Sequence, residues 1–331
     1  MSTIQNNSDF LFLYEAINCN PNGDPDQENK PRMDYDTQTN IVTDTRLKRY
    51  VRDYLMQNGH DVFVSMEENT KVTPDSKFVA VIDKLLSDPD TVSTFFADSP
   101  EMKEAFDNVV SSKKDSEGVF KALQGQKNKQ LNYFILEKLV RDTFLDIRLF
   151  GSAFAVKEFT QAYTGAVQIN WGYSLNKVYQ IDSNSIVTIM SDDHSTFGKD
   201  YRVYYSLLGF HGTVNKHAAE TTGLTESDMQ TYRDAIWNAI PSQPTRSKMN
   251  QYPKLYLELI YEDGYSNGQF GDLRNFVDCQ PKNGVDEFKK VRKFQDLEMD
   301  FSPLEKLIAE NKGSVIKDVK VKAAPDISLN I

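Results

Sequence analysis

Cysteine is almost missing from this chain: Cys19 and Cys279 are the only two among 331 residues. With no CxxC pair there is no zinc ribbon and no disulfide framework, and two isolated thiols suit a reducing compartment. Histidine is scarce as well, with four residues and no HExxH pair, so zinc hydrolase chemistry has no ligand set. His194 stands beside Asp192 and Asp193 in a polar stretch where a single histidine is solvated; His211 and His217 have no acid or Cys at metal spacing and read as structural. Long apolar runs are absent, with nowhere near the roughly 18 consecutive residues a membrane helix needs. The N-terminus, MSTIQNNSDF, has no basic stretch leading into an apolar one, so no secretory signal is expected and a cytoplasmic protein is. Walker A, GxSxG and dinucleotide-binding glycine patterns are missing too, so the common enzyme classes find no support. There is no internal repeat and no long low-complexity segment.

Basic charge is also in deficit. The net charge is −10, which by itself counts against a polyanionic partner. The distribution matters more. Residues 61–109 hold eleven Asp and Glu against four Lys, whereas residues 113–157 hold nine Lys and Arg against five acids. The acidity is concentrated, so basic faces remain available. Composition otherwise fits a globular protein, with 20 Phe and 16 Tyr for packing and stacking.

Residues 10–17, FLFLYEAI, read as a buried strand that feeds the turn-rich stretch NCNPNGDPDQENKPRMD. Thr43 then caps a helix over 43–57, with Leu47, Tyr50, Val51, Tyr54 and Leu55 at helical spacing up to Asn58-Gly59. A mainly helical insertion follows from about 75 to 145. Strand character returns in DIRLFGSAFA (146–155) and GAVQINWGYS (165–174), expected to pair as a hairpin, then in YRVYYSLLGF (201–210) and KLYLELIYEDG (254–264). Between the last two, Thr225 opens a helix with the apolar stripe Met229, Tyr232, Ile236 and Ile240. Stripped of insertions, the order is strand, helix, strand, strand, helix, strand, an α+β arrangement of ferredoxin-like type. The last sixty or so residues are weakly patterned.

The turn-rich loop admits several readings. Asn18, Asn20, Asn22, Gly23 and Asp24 fall at positions 1, 3, 5, 6 and 7 of a calcium loop, but position 12 is Asn29 and no helix precedes it. Asp24, Asp26, Asp34 and Asp36 would suit a metal nuclease only if they converged from rigid elements. Consecutive turns at Asn22-Gly23 and Asp24-Pro25 account for the composition alone. The helix after the loop is more pointed, because Lys48, Arg49 and Arg52 gather opposite its apolar face. They form either a solvated surface or a track for phosphates.

Taken in order, NPNGDP (20–25), PRMD (31–34), VTDTRLKRYVRDYL (42–55), DIRLFGSAFA, TGAVQINWGYSLNKV, the block at 195–229 and TRSKMNQYPKLYLELIYEDG (245–264) resemble a known family. It is the Cas seven family, the crRNA-binding backbone subunit of type I CRISPR Cascade, in its Csd/Csh branch (type I-B or I-C). The resemblance implies a modified RRM palm over residues 1–60 and 145–265, a helical finger over 61–144, a thumb hairpin at about 180–204 and a C-terminal extension over 266–331 packing on the palm. It implies RNA contacts from the loop (Asn20 and Asn22, with Asp24 beside them), from Lys48 and Arg49, from Arg148, Phe150, Thr164, Gly165 and Gln168, and from Lys199 and Arg202 flanking the thumb; Arg52 joins them from the helical wheel. The implied partners are crRNA, target DNA paired through the guide, further copies of the chain, and the Cas five, Cas eight and small-subunit proteins of Cascade. Neither a cofactor nor a catalytic activity is expected. The competing reading, by analogy with type III relatives, is an RNA-cleaving backbone subunit using Asp24 or Asp26.

Overall fold

Twelve residues, SDFLFLYEAINC, form the long strand β1 (Ser8–Cys19), buried over nearly its whole length. Alternation sends Phe10, Phe12 and Tyr14 to one face and Leu11 and Leu13 to the other. A strand apolar on both sides has to be central. It pairs antiparallel with β6 (Val203–Val214) on one side and β7 (Gln251–Tyr261) on the other. Beyond these lie β2 (Met33–Asp34), β3 (Thr39–Val42), β5 (Gly172–Ser174) and β8 (Ile316–Ala323), giving the order β8-β7-β1-β6-β5-β3-β2, with β4 (Val167–Ile169) also on β6. The protein is thus a mixed helix and sheet molecule with a central antiparallel sheet. This computed structural model describes residues 2–67, 70–71, 73–156, 159–181, 185–191, 194–282, 285 and 287–331.

The chain divides into two compact units. The sheet unit comprises Ile4–Tyr54, Val167–Lys216 and Met229–Ile331. On one face of its sheet lie helix α1 (Asp44–Gln57) and helix α9 (Glu226–Ala239); Tyr232 meets the Phe10 ring edge-on at 6.0 Å, and Phe10 stacks on Tyr256. A buried ion pair, Arg233 Nε to Glu258 Oε2 at 2.7 Å, sits in this layer, with Ser8 and Tyr256 hydroxyls also donating to Glu258. Removing one partner would strand a buried charge. The C-terminal residues cover the other face of the central strands: Leu273, Val291, Phe294, Phe301, Leu304 and Ile308, the last two on α10 (Ser302–Asn311), pack against Leu11, Leu13, Leu255 and Leu257. Lys254, almost buried, pairs with Glu15 at 3.0 Å and Asp326 at 2.8 Å and so pins the tail to β1 and β7. These weakly patterned residues hold a short hairpin (Asp278–Pro281 with Leu297–Asp300), α10 and the edge strand β8.

The second unit (Met1–Thr3, Leu55–Ala166 and His217–Asp228) is mainly helical. Its helices α2 (Pro74–Leu86), α3 (Pro89–Phe95), α4 (Pro100–Ser111), α5 (Ser116–Leu123) and α6 (Lys129–Thr143) surround Phe78, Phe96, Phe106, Phe120 and Phe144. Three of them start alike in Thr73-Pro74-Asp75, Asp88-Pro89-Asp90 and Ser99-Pro100-Glu101: a capping residue, a proline at the first helical position and an acid in the first turn. Short α8 (Lys216–Thr222) falls almost wholly in this unit.

Two expectations need correction. DIRLFGSAFA is not one strand: Leu145–Phe150 is a helix, α7, and the strand begins at Gly151. The Asp146 carboxylate, fully buried, accepts the N–H groups of Phe63 at 2.7 Å and Val64 at 3.1 Å. That demand holds the turn helical against the β-propensity of its neighbours. Nor does that strand pair with 165–174. Gly151–Val156 pairs with Phe159–Thr164, while 167–169 and 172–174 join the main sheet. A further hairpin joins Ser185–Ser191 to His194–Lys199; Asp192 and Asp193, expected in or near the thumb, lie outside the described residues.

Candidate nucleic-acid interface

The strands β1, β6 and β7 end together, with Cys19 opposite Val203 and Ala16 opposite Gln251. Three segments of the sheet unit therefore meet at one end: the loop 18–34, the hairpin root at 199–202 and the turn 245–250. The loop is a folded object. Asn18, Glu28 and Asn29 all take positive φ, and a Cβ at Gly23 would lie 2.9 Å from the Asn29 carbonyl oxygen. Asn20 is buried and its amide donates to Asn29 O at 2.7 Å. Asn22 Oδ1 accepts from the backbone N–H of Thr43 at 2.9 Å and its hydroxyl at 3.1 Å, tying the loop to the start of α1. Asp24 caps the turn Pro25–Gln27 by accepting from Asp26 N, and pairs with Arg32 at 3.4 Å. Asn20, Asn22 and Asp24 thus hold the loop's own shape.

The hairpin root is bound to this loop. Lys199 pairs with Glu28 at 3.1 Å, Tyr201 donates its hydroxyl to the same carboxylate at 2.7 Å, and Lys30 lies over the Tyr201 ring. The Tyr201 and Lys199 hydrogen bonds keep the Glu28 carboxyl below its ordinary range. Arg202 forks onto Asp200 and donates to the Asn18 carbonyl; Arg246, from the third segment, reaches the same Asp200 at 3.1 Å. Beside them Lys248 donates to the Asn20 carbonyl oxygen. Burial, reinforced by the neighbouring Arg46, pushes its ammonium down to about 8, and burial pushes the adjacent Cys19 thiol up to about 12.

On α1 the cations have partners. Lys48 pairs with Asp44 at 2.9 Å and Arg49 with Asp53 at 2.7 Å, both one turn away. Arg52 is half-buried on the same helix. Arg46, one turn before Tyr50, lies with its guanidinium 4.1 Å from that ring's centre. Gln168 is exposed on β4.

The remaining expected residues belong to the helical unit. Arg148 forms a two-pronged pair with Asp228, at 2.8 and 3.1 Å, and donates to the Arg141 carbonyl. Phe150 is buried and Thr164 exposed. Gly165 is fixed by a backbone crossing: a Cβ there would lie 2.1 Å from the Phe150 carbonyl carbon and 2.3 Å from Gly151 N. Among the described residues no three His, Cys, Asp or Glu side chains make a metal-binding group, and no helix is long and apolar enough to cross a membrane.

Sequence reasoning left out Lys30, Arg32, Arg46, Arg246 and Lys248. All five lie inside stretches already singled out, NCNPNGDPDQENKPRMD, VTDTRLKRYVRDYL and TRSKMN, so their charge was visible. What brings them together is the shared end of β1, β6 and β7, which no local pattern reports.

Fold and cluster together define a class: an α+β protein on one antiparallel sheet, with cations drawn from three separate segments to one end of its strands. The profile of the CRISPR-associated protein Cas7 family matches residues 6–302, and the chain belongs to that family. It is 30% identical over 314 residues to the CRISPR-associated protein Cas7 of Haloferax volcanii, covering 91% of this chain and 82% of that protein. Among solved structures, it is similar to a chain of a CRISPR RNA-guided surveillance complex in a pre-nicking state, at 14% identity and a TM-score of 0.47 over 78% of this chain and 80% of that one. A chain of another CRISPR RNA-guided surveillance complex aligns at 12% identity and a TM-score of 0.47, over 97% and 93%.

Proposed function

We propose that this chain is the guide-RNA-binding backbone subunit of a Cascade-type effector. It is not itself an enzyme. Copies polymerise along one crRNA, neutralise its phosphates without reading its sequence, and leave bases free to pair with target DNA. Further partners are the Cas five, Cas eight and small-subunit proteins. Membership of the Cas7 family supports this reading. The observation that carries it is the convergence of the loop 18–34, the hairpin root and the 245–250 turn, rich in Lys and Arg, at one end of the sheet.

The element order β1, α1, β5, β6, α9, β7, with sheet order β7-β1-β6-β5 and both helices on one face, supports assignment of the sheet unit as a modified RRM palm. A plain RRM stacks bases on the open face of its sheet. Here the C-terminal residues fill that face over β1 and β7, which favours RNA contact at the strand ends. The hairpin 185–199, rising from the same end, is assigned as the thumb.

Purified RNA-free chain mixed with single-stranded RNAs of increasing length tests this by mass photometry. The number of copies per RNA should climb in proportion to RNA length. One copy per RNA whatever its length, or no binding, would overturn the backbone assignment.

A further inference from the structure

Strand β8 (Ile316–Ala323) ends the main sheet, and among the described residues no strand lies beyond it. Its register on β7 decides which of its backbone groups the sheet uses. The Tyr261 N–H donates to the Asn7 carbonyl on the β1 side of β7, the Glu262 N–H to the Val315 carbonyl on the other side, and the Ala324 N–H to the Lys254 carbonyl. With Leu255 opposite Ala323 and Ile260 opposite Asp318, antiparallel alternation gives Asp318, Lys320 and Lys322 the bonds to β7. Val319, Val321 and Ala323 therefore aim their N–H and C=O groups outward, at an open edge.

The side chains alternate as well. Val319 packs against the C-terminal apolar layer, and Val321, 42% exposed, continues its row. Lys320 and Lys322 take the face of α9, where the Lys322 ammonium lies 3.5 Å from Asp234 and 5.4 Å from the centre of the Trp237 ring. Lys320 pairs with Asp318 at 2.6 Å. Both pairs are exposed, and exposed pairs hold little. In a chain of net charge −10, residues 312–322 carry four Lys and one Asp.

An unpaired edge recruits further strands unless its side chains forbid it. These lysines forbid one class, because a second copy of β8 would set lysine against lysine. A strand that brings acids meets no such penalty. We propose that the outer edge of β8 docks a partner protein through one extended segment added to the sheet, with Asp or Glu opposite Lys320 and Lys322 and apolar side chains beside Val319 and Val321. Nothing in this assignment depends on the guide-RNA reading.

The probe is a short fluorescein-labelled peptide alternating Glu and Val, titrated against the full-length chain by anisotropy. Wild type should bind it, and bind a Lys-Val counterpart about tenfold more weakly. Methylating every second amide nitrogen of the peptide should abolish binding for one set of positions and spare it for the other, because only one set meets the edge. In hydrogen exchange followed by NMR, the peptide should slow the amides of Val319, Val321 and Ala323 about tenfold. Val321→Pro removes an outward N–H and leaves the bonds to β7 in place, so it should keep its circular dichroism and lose the peptide. Lys320→Glu/Lys322→Glu should prefer the Lys-Val peptide. No binding by wild type, equal binding of the two methylated sets, or a folded Val321→Pro that binds as wild type does would overturn the docking site; if Val321→Pro does not fold, the methylated peptides decide on the wild type alone. Oligouridine bound by wild type and lost in Lys320→Glu/Lys322→Glu, with the peptide ignored, would overturn it in favour of a nucleic-acid contact.

Discussion

Lys248 is held at a cost. Burial lowers its ammonium from 10.5 to about 8, so at neutral pH the charged form weakens the fold by about 3 kcal/mol. Between about pH 8 and 10.5 the folded chain binds fewer protons here than the unfolded chain, so this residue's share of stability improves as pH rises through that window. Lys248→Met removes the penalty and forfeits one hydrogen bond, worth about 1 kcal/mol. The variant should therefore be more stable than wild type near pH 7 by roughly 1–2 kcal/mol, with the gain shrinking by about pH 10. Thermal unfolding at the two pH values checks this; a variant less stable at both would mean that Lys248 is a structural donor. Single residues were unevenly legible in the sequence. Lys48 and Arg49 were found by the helical wheel, which counted their charge and passed over Asp44 and Asp53 one turn away. Lys248 and its acceptor Asn20, 228 positions apart, become neighbours only once β1 and β7 are paired.

At the scale of elements, α1 was legible because it depends on local rules: a capping Thr, an acid in the first turn, an apolar stripe and a Gly stop. Helix α7 was not. Its helical state is decided by the buried Asp146 and by N–H groups more than eighty positions away, and tertiary demand overrode propensity. The C-terminal elements were missed for a related reason, since their apolar residues are spaced to fill a sheet face rather than to repeat along a helix or strand. The pairing on α1 gives a directional test. Asp53→Asn frees Arg49, so if α1 lies along the RNA the variant should bind single-stranded RNA about two- to threefold more tightly, with a steeper salt dependence. Unchanged affinity and slope would remove Arg49 from the interface.

Over the whole molecule, a chain of net charge −10 is assigned a polyanion as its partner. The charges are arranged so that the conflict is local. At the candidate interface most cations are paired, while the helical unit carries much of the acid, including exposed Asp61, Asp88, Asp90 and Glu104. Such a surface discourages indiscriminate nucleic-acid binding. The elements β1, α1, β6, α9 and β7 were readable from hydrophobic periodicity, whereas the covered sheet face was not. The most direct test of the account is to purify the chain from cells expressing a matching CRISPR array and sequence whatever RNA accompanies it. The account predicts discrete repeat-spacer RNA. Protein free of RNA, or carrying a random sample of cellular transcripts, would contradict it.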